Sequence, residues 1–230
     1  MELFIIKNIK SIYTKKILRI LNMKKVYEYW LPDSDEHFER LITKRVNNNG
    51  PAQYQDDART EAYKYVTDFE LAIDVGANVG LWAKHLAEKF GEVWAYEPID
   101  EVYQCLEKNV VGRNVVLNKF ALGNDNSTIE LVYDSVNTGA SYVDKDTLGK
   151  GTIQIKRMDD LNLPHFGLLK IDCERYELEV LKGGVETITK YKPIIVVEQH
   201  PDTEYCAGKF LKELGAREIT NVRKDYIFGW

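Results

Sequence analysis

Four stretches of this sequence put reactive residue types where strands end. "AIDVGANVG" (72–80) carries Asp74, Gly76, Asn78 and Gly80, and "VWAYEP" (93–98) carries Glu97. "LLKIDCE" (168–174) ends in Asp172 and Glu174, and "VVEQH" (196–200) in Glu198 and His200. A strand that runs through a glycine turn into a helix aims backbone N–H groups at a ligand. Gly76 and Gly80 let that ligand approach the main chain. The dinucleotide fingerprint G-x-G-x-x-G needs a middle glycine that is absent here. A carboxylate at Asp74 would also repel a pyrophosphate. It suits instead an ammonium or a sulfonium, and S-adenosylmethionine (SAM) carries both. Glu97, at the end of the next strand, can accept hydrogen bonds from two ribose hydroxyls.

The other two strand ends suggest proton chemistry. Strand side chains alternate, so Lys170 and Asp172 share one face, as do Glu198 and His200. Lys170 and Glu198 are expected to form a buried pair. His200 titrates near neutral pH and is the first candidate for a general base, with Asp172 and Glu198 beside it. A neighbouring carboxylate is expected to raise the His200 pKa and fix its tautomer. Asp172, Glu174, Glu198 and His200 also have the oxygen-rich makeup of a magnesium or manganese site. A base mechanism without a metal is the simpler expectation.

These residues need strands and helices to hold them. From Phe69 the pattern alternates: strand "FELAIDVG", helix "LWAKHLAEKF", strand "EVWAYEP", helix "IDEVYQCLEKNV", strand "NVVLNKFAL". Apolar strands alternating with helices predict a parallel sheet covered on both faces. Residues about 123–157 interrupt this with two antiparallel strands around a polar loop that holds Asn137, Thr138, Ser141 and Tyr142. The alternation then resumes through "FGLLKID", "YELEVLKGG", "PIIVVEQH", a helix near 203–214, and the strands "AREIT" and "DYIFGW".

Together, "AIDVGANVGLW", "VWAYEP", "FALG", "LLKIDCE.YELEVLKGG" and "PIIVVEQH" resemble the FkbM family of SAM-dependent methyltransferases, from about Ala72 to His200. The resemblance implies an α/β class I (Rossmann-like) methyltransferase fold, with a seven-stranded, mostly parallel sheet whose last strand is antiparallel. It implies O-methylation of a sugar or similar hydroxyl-bearing metabolite. It places Asp74, Gly76, Asn78 and Gly80 around the methionine part of SAM, Glu97 at the ribose, and Ala121 and Leu122 at the adenine. One position departs from the pattern. Relatives read D-x-E-G where this chain reads D-C-E-R, so Arg175 is either strained by roughly 1–2 kcal/mol at a positive φ or sits in ordinary backbone. It either pairs with a nearby glutamate at the surface or contacts an anionic acceptor.

Composition frames these expectations. The chain has 230 residues, 44% hydrophobic and 29% charged, which suits one domain with appendages. The net charge of −5 excludes a general attraction to nucleic acid. Residues 1–25 hold seven bases and one acid, leaving −11 on the remainder. Residues 1–30 are expected to form a basic amphipathic helix that packs on the body, on a second copy in a homodimer, or at a membrane surface. Residues 1–67 form an N-terminal helical extension and 68–230 the methyltransferase domain. Three widely spaced cysteines suggest neither a disulfide framework nor a zinc site, and a cytoplasmic setting is expected. No apolar run approaches the ~20 residues of a membrane span. A non-catalytic SAM-binding module and a nucleotide-dependent oxidoreductase are the competing functions.

Overall fold

The computed structural model describes residues 22–48 and 50–230. The chain enters through a hairpin of β1 (Met23–Val26) and β2 (Tyr29–Pro32), followed by α1 (His37–Asn47) and α2 (Asp56–Tyr63). Most of the expected basic helix lies outside the described residues. Its last part is corrected: 23–26 and 29–32 are antiparallel strands. The reason is alternation. Tyr29 and Leu31 both point inward and are fully buried, a period of two that a helix cannot satisfy. They pack with Phe38, Ile42, Val102 and Cys105. Asn109 fastens the hairpin, accepting from Trp30 N at 2.7 Å and donating to Trp30 O at 2.8 Å and Val79 O at 2.7 Å.

Next come β3 (Leu71–Val75), α3 (Ala83–Leu86), β4 (Glu92–Tyr96), α4 (Asp100–Asn109) and β5 (Val115–Asn118). The helix expected over "LWAKHLAEKF" is regular for one turn only, with irregular turns on either side. The strand expected over "NVVLNKFAL" breaks after Asn118. Its neighbour β4 ends at Tyr96, the partner of Asn118, so the following residues must pair elsewhere. They do so as β6 (Ala121–Leu122), in a second sheet with β7 (Ser127–Val132), β8 (Tyr142–Asp144) and β9 (Ile153–Lys156), ordered β6-β9-β7-β8. The insertion is therefore a small sheet rather than a lone hairpin.

The remaining elements are β10 (Leu168–Ile171), α5 (Glu177–Lys182), α6 (Val185–Tyr191), β11 (Ile194–Glu198), α7 (Cys206–Glu213), β12 (Arg217–Val222) and β13 (Asp225–Gly229). The main sheet has seven strands in the order β12-β13-β11-β10-β3-β4-β5. The last strand, β13, runs antiparallel to both neighbours, and the other described pairings in this sheet are parallel.

Register explains where the polar residues emerge. Ile73, Val75, Leu169, Ile171, Ile195 and Val197 fill one face of the sheet. Ala72, Leu168, Val196 and Ile227 fill the other, against Ala58 and Ala62 of α2. Two residues further along that second face stand Asp74, Lys170 and Glu198, with Asp172 beyond Lys170. Lys170 is paired in register with Asp74, and Glu198 with Asp225. The strands thus leave the core with their charges on one face, beneath the N-terminal segment.

Candidate active site

A cleft of about 950 Å³, its open mouth included, runs along the C-terminal ends of β3, β4, β10 and β11. At one end the glycine turn makes its floor. Gly76 (φ +72) lies under β10, where an added Cβ would be 1.9 Å from Asp172 O. Gly76 N and Ala77 N donate to Tyr96 O at 3.1 and 3.0 Å, tying the turn to β4. Gly80 (φ +88) lets Leu106 of α4 pack against the turn. Glu97 accepts from Asn78 N at 3.0 Å and Ile99 N at 2.8 Å. Burial pushes its pKa up to about 7, against the pull of those two N–H groups. Gly76, Asn78, Glu97, Ala121 and Leu122 all line this end.

Asp74 and Gly80 stand behind the lining rather than in it. Asp74 is fully buried, with Lys170 as its charged partner. Burial raises its pKa, opposed by Lys170. Lys170 Nζ lies 3.4 Å from Asp74, donates to Gly76 O at 3.0 Å and lies 3.7 Å from Asp172. The expected Lys170–Glu198 pair is corrected accordingly: register sets Lys170 opposite Asp74. Burial disfavours the ammonium, but Asp74 and Asp172 more than offset this and raise its pKa.

The other end is lined by Asp172, Glu174 and Glu198, with Phe38 and Tyr54 from the N-terminal segment and Thr138 and Ser141 from the insertion. Burial raises the Glu198 pKa, and the Asp172 and Glu174 carboxylates raise it further. Glu174 and Asp225 are each pushed up to about 7, first by burial and then by Asp172. His200 lies behind this lining. Its Nε2 is 2.9 Å from Glu198 Oε2, and its Nδ1 is 3.3 Å from Lys224 Nζ. An ammonium can only donate, so Nδ1 accepts from Lys224 and Nε2–H donates to Glu198. The expected rise in the His200 pKa is corrected. Burial, Lys224 and Arg175 lower it despite the carboxylates nearby. Glu174, Glu198 and His200 bring ligand-type atoms within 4.8 Å of one another, but Lys224 already supplies positive charge to that imidazole.

Arg175 adopts φ +75, directly after Glu174 at φ +47. Glu177, at the start of α5, holds this turn by accepting from Cys173 N at 3.0 Å and Arg175 N at 3.1 Å. The guanidinium pairs with Asp202, not with a glutamate, at 2.8 Å and is half exposed. Of the insertion residues singled out in the sequence, Thr138 is the most embedded. It donates to Asp35 from N (3.1 Å) and Oγ1 (2.6 Å), and Oγ1 also lies 3.3 Å from Asn78 Oδ1.

Phe38, Tyr54, Asp35, Lys224 and Asp225 carry no motif, and the sequence did not single them out for the site.

A family model described as "Methyltransferase FkbM domain" matches residues 74–217, more than half of the chain. Hexuronic acid methyltransferase AglP of Haloferax volcanii is 28% identical over 162 residues, 67% of each chain. Methyltransferase sdnD of Sordaria araneosa is 27% identical over 167 residues, covering 55% of this chain and 64% of that protein. The chain thus spans about two thirds of the length of these curated relatives. The crystal structure of methyltransferase FkbM from Methylobacillus flagellatus KT overlaps 71% of this chain and 44% of that one, at 19% identity and a TM-score of 0.48.

Proposed function

This chain belongs to the FkbM methyltransferase family, and from that premise we propose that it O-methylates a hydroxyl of a sugar or similar small metabolite. Its fold is that of class I SAM-dependent methyltransferases, and its methyl donor is S-adenosyl-L-methionine. The family match sets aside a nucleotide-dependent oxidoreductase. One observation carries the proposal: a single cleft joins the glycine turn and Glu97 to the carboxylates at the ends of β10 and β11.

The cofactor end fits SAM. Gly76 packs the turn against the end of β10, where any side chain would collide with Asp172 O, and the turn and the Glu97 carboxylate line one end of the cleft. Gly76 and Asn78 would hold the methionine part, Glu97 the ribose hydroxyls, and Ala121 and Leu122 the adenine. The cofactor supplies a methyl group on a sulfonium, already a good leaving group. What the protein must add is alignment of the acceptor and removal of its proton.

Glu198 is the better base. It lines the cleft, whereas His200 stands behind it with its lone pair turned to Lys224. A raised pKa makes Glu198 a stronger base once ionised, and His200 Nε2–H orients it. Asp172 accepts from a second acceptor hydroxyl. That AglP is a hexuronic acid methyltransferase supports a sugar as the acceptor. The acid part of that substrate transfers less well to a cleft end that is itself acidic.

Two measurements test this. Calorimetry with S-adenosylhomocysteine (SAH) should show binding that Glu97→Ala weakens. Methyl transfer from labelled SAM to a panel of sugar acceptors should yield a methyl ether. A wild-type protein that binds SAH but methylates nothing in the panel would leave the non-catalytic module standing.

A further inference from the structure

We propose that the segment preceding the matched methyltransferase region completes the acceptor subsite, and that Tyr54 in it binds the acceptor as a neutral polyhydroxylated ring. This rests on the methyl-transfer reading above. Tyr54 and Phe38 both line the cleft, and their rings meet edge to face at 5.3 Å and 89°. The backbone beneath Tyr54 is fixed. Its carbonyl accepts from buried Arg59 at 3.1 Å. The next residue, Gln55, accepts from Trp82 Nε1 at 2.6 Å and donates to Asp225 at 3.3 Å.

The Tyr54 hydroxyl differs from these settled groups. No hydrogen bond to it is made among the described residues. Burial raises its pKa, and Asp172, Asp225 and Glu198 raise it further, so it remains a neutral O–H and a donor. The carboxylates that line this end can only accept when ionised. A ligand with several hydroxyls satisfies both. Its O–H groups donate to Asp172, Glu174 and Glu198, and one of its oxygens accepts from Tyr54. The two aromatic rings suit the C–H face of a pyranose.

Charge narrows the class. Asp172, Glu174 and Glu198 line this end, Asp225 is paired in register with Glu198, and Lys224 acts on Glu198 from the same side. Lys170 is already engaged by Asp74, Asp172 and Gly76 O. An acceptor carboxylate or phosphate would add another anion where burial and then Asp172 already raise the proton affinity of Glu174 and Glu198, so the end favours a neutral acceptor.

Tyr54→Phe tests this, because it deletes a hydroxyl on which no other described residue depends. SAH affinity is measured by calorimetry. Methyl glucopyranoside and glucuronate are then titrated into the SAH complex and followed by saturation-transfer NMR. The wild-type complex should bind the neutral glycoside in preference to glucuronate. Tyr54→Phe should weaken glycoside binding about ten-fold while leaving SAH affinity unchanged. Equal glycoside affinity in the variant overturns the role of Tyr54. Preference for glucuronate, or binding of neither sugar, overturns the acceptor class. Failure of the wild type to bind SAH refutes the underlying methyltransferase reading and removes this proposal with it.

Discussion

The two ends of the cleft are built by different means. The cofactor end is made of main chain: a glycine turn, N–H groups on Glu97, and strands close in sequence. The acceptor end is made of side chains from four distant places: the N-terminal segment, the insertion, and the tips of β10 and β11. At the first, a buried acid is held by two backbone donors; at the second, acids crowd one another. Main-chain construction fixes a shape, whereas crowded side chains set proton affinity and choose what enters. Cofactor binding and acceptor chemistry should therefore fail separately.

The largest effect is expected where the two ends touch. Gly76→Ala forces a Cβ against Asp172 O and places alanine at φ +72. SAH affinity should fall at least 100-fold, or the fold should be lost, as read by calorimetry and thermal melting. Survival of both would show that β10 can move away from the turn.

Glu198→Gln separates the ends most cleanly. Turnover should fall about 10²–10⁴-fold, as for loss of a general base, with SAH affinity retained. Turnover of the wild type should rise with pH as the raised acids ionise. The stability effect has the opposite sense. Glu198 has a folded pKa above its ordinary 4.5, so its contribution is fully present below pH 4.5 and lost as pH rises through the raised value. Glu198→Gln should therefore melt about 2–4 °C higher than wild type at pH 8, with the gap closing towards pH 5. A constant gap across that range would mean that Glu198 is not strained by its neighbours.

Asp35→Ala should loosen the acceptor end alone. It strands the N–H groups of Phe38 and Thr138 and leaves the Thr138 hydroxyl only its longer contact with Asn78, for a loss of roughly 2–4 kcal/mol in denaturant unfolding. Acceptor KM should rise more than SAH affinity falls. The smallest effect is expected at Arg175→Gly. Relief of the left-handed backbone, worth about 1 kcal/mol, outweighs loss of an exposed ion pair with Asp202. The variant should melt slightly higher and bind the acceptor as before; a raised acceptor KM would place the guanidinium in the subsite.

The same contrast decides what the sequence reveals. The turn from Asp74 to Gly80 and the acid at Glu97 are legible because their partners lie within a few dozen residues, in a fixed strand–turn–helix geometry. The strand order follows from the family resemblance. Tyr54 and Asp35 are illegible because their meaning comes from residues far along the chain. The surroundings of His200 are illegible for a related reason: burial, and then Lys224 from the turn before β13, lower its pKa, and Lys224 lies 3.3 Å from its Nδ1. The hairpin at 23–32 is hidden because the helical spacing of Ile9, Ile12, Ile17 and Ile20 invites extension past Leu21, whereas Tyr29 and Leu31 keep the rhythm of a strand.

The bonds that close the acceptor end also set an order of assembly. Asp35 waits 103 positions for Thr138, and Gln55 waits 170 for Asp225. At ordinary rates of synthesis the second interval is roughly 10–30 s. A nascent chain that has just completed β11 already holds every residue of the glycine turn and of Glu97, yet the segment around Gln55 still lacks Asp225 to settle against. On the reading proposed above, the segment that meets the acceptor is translated before the glycine turn and closed after it.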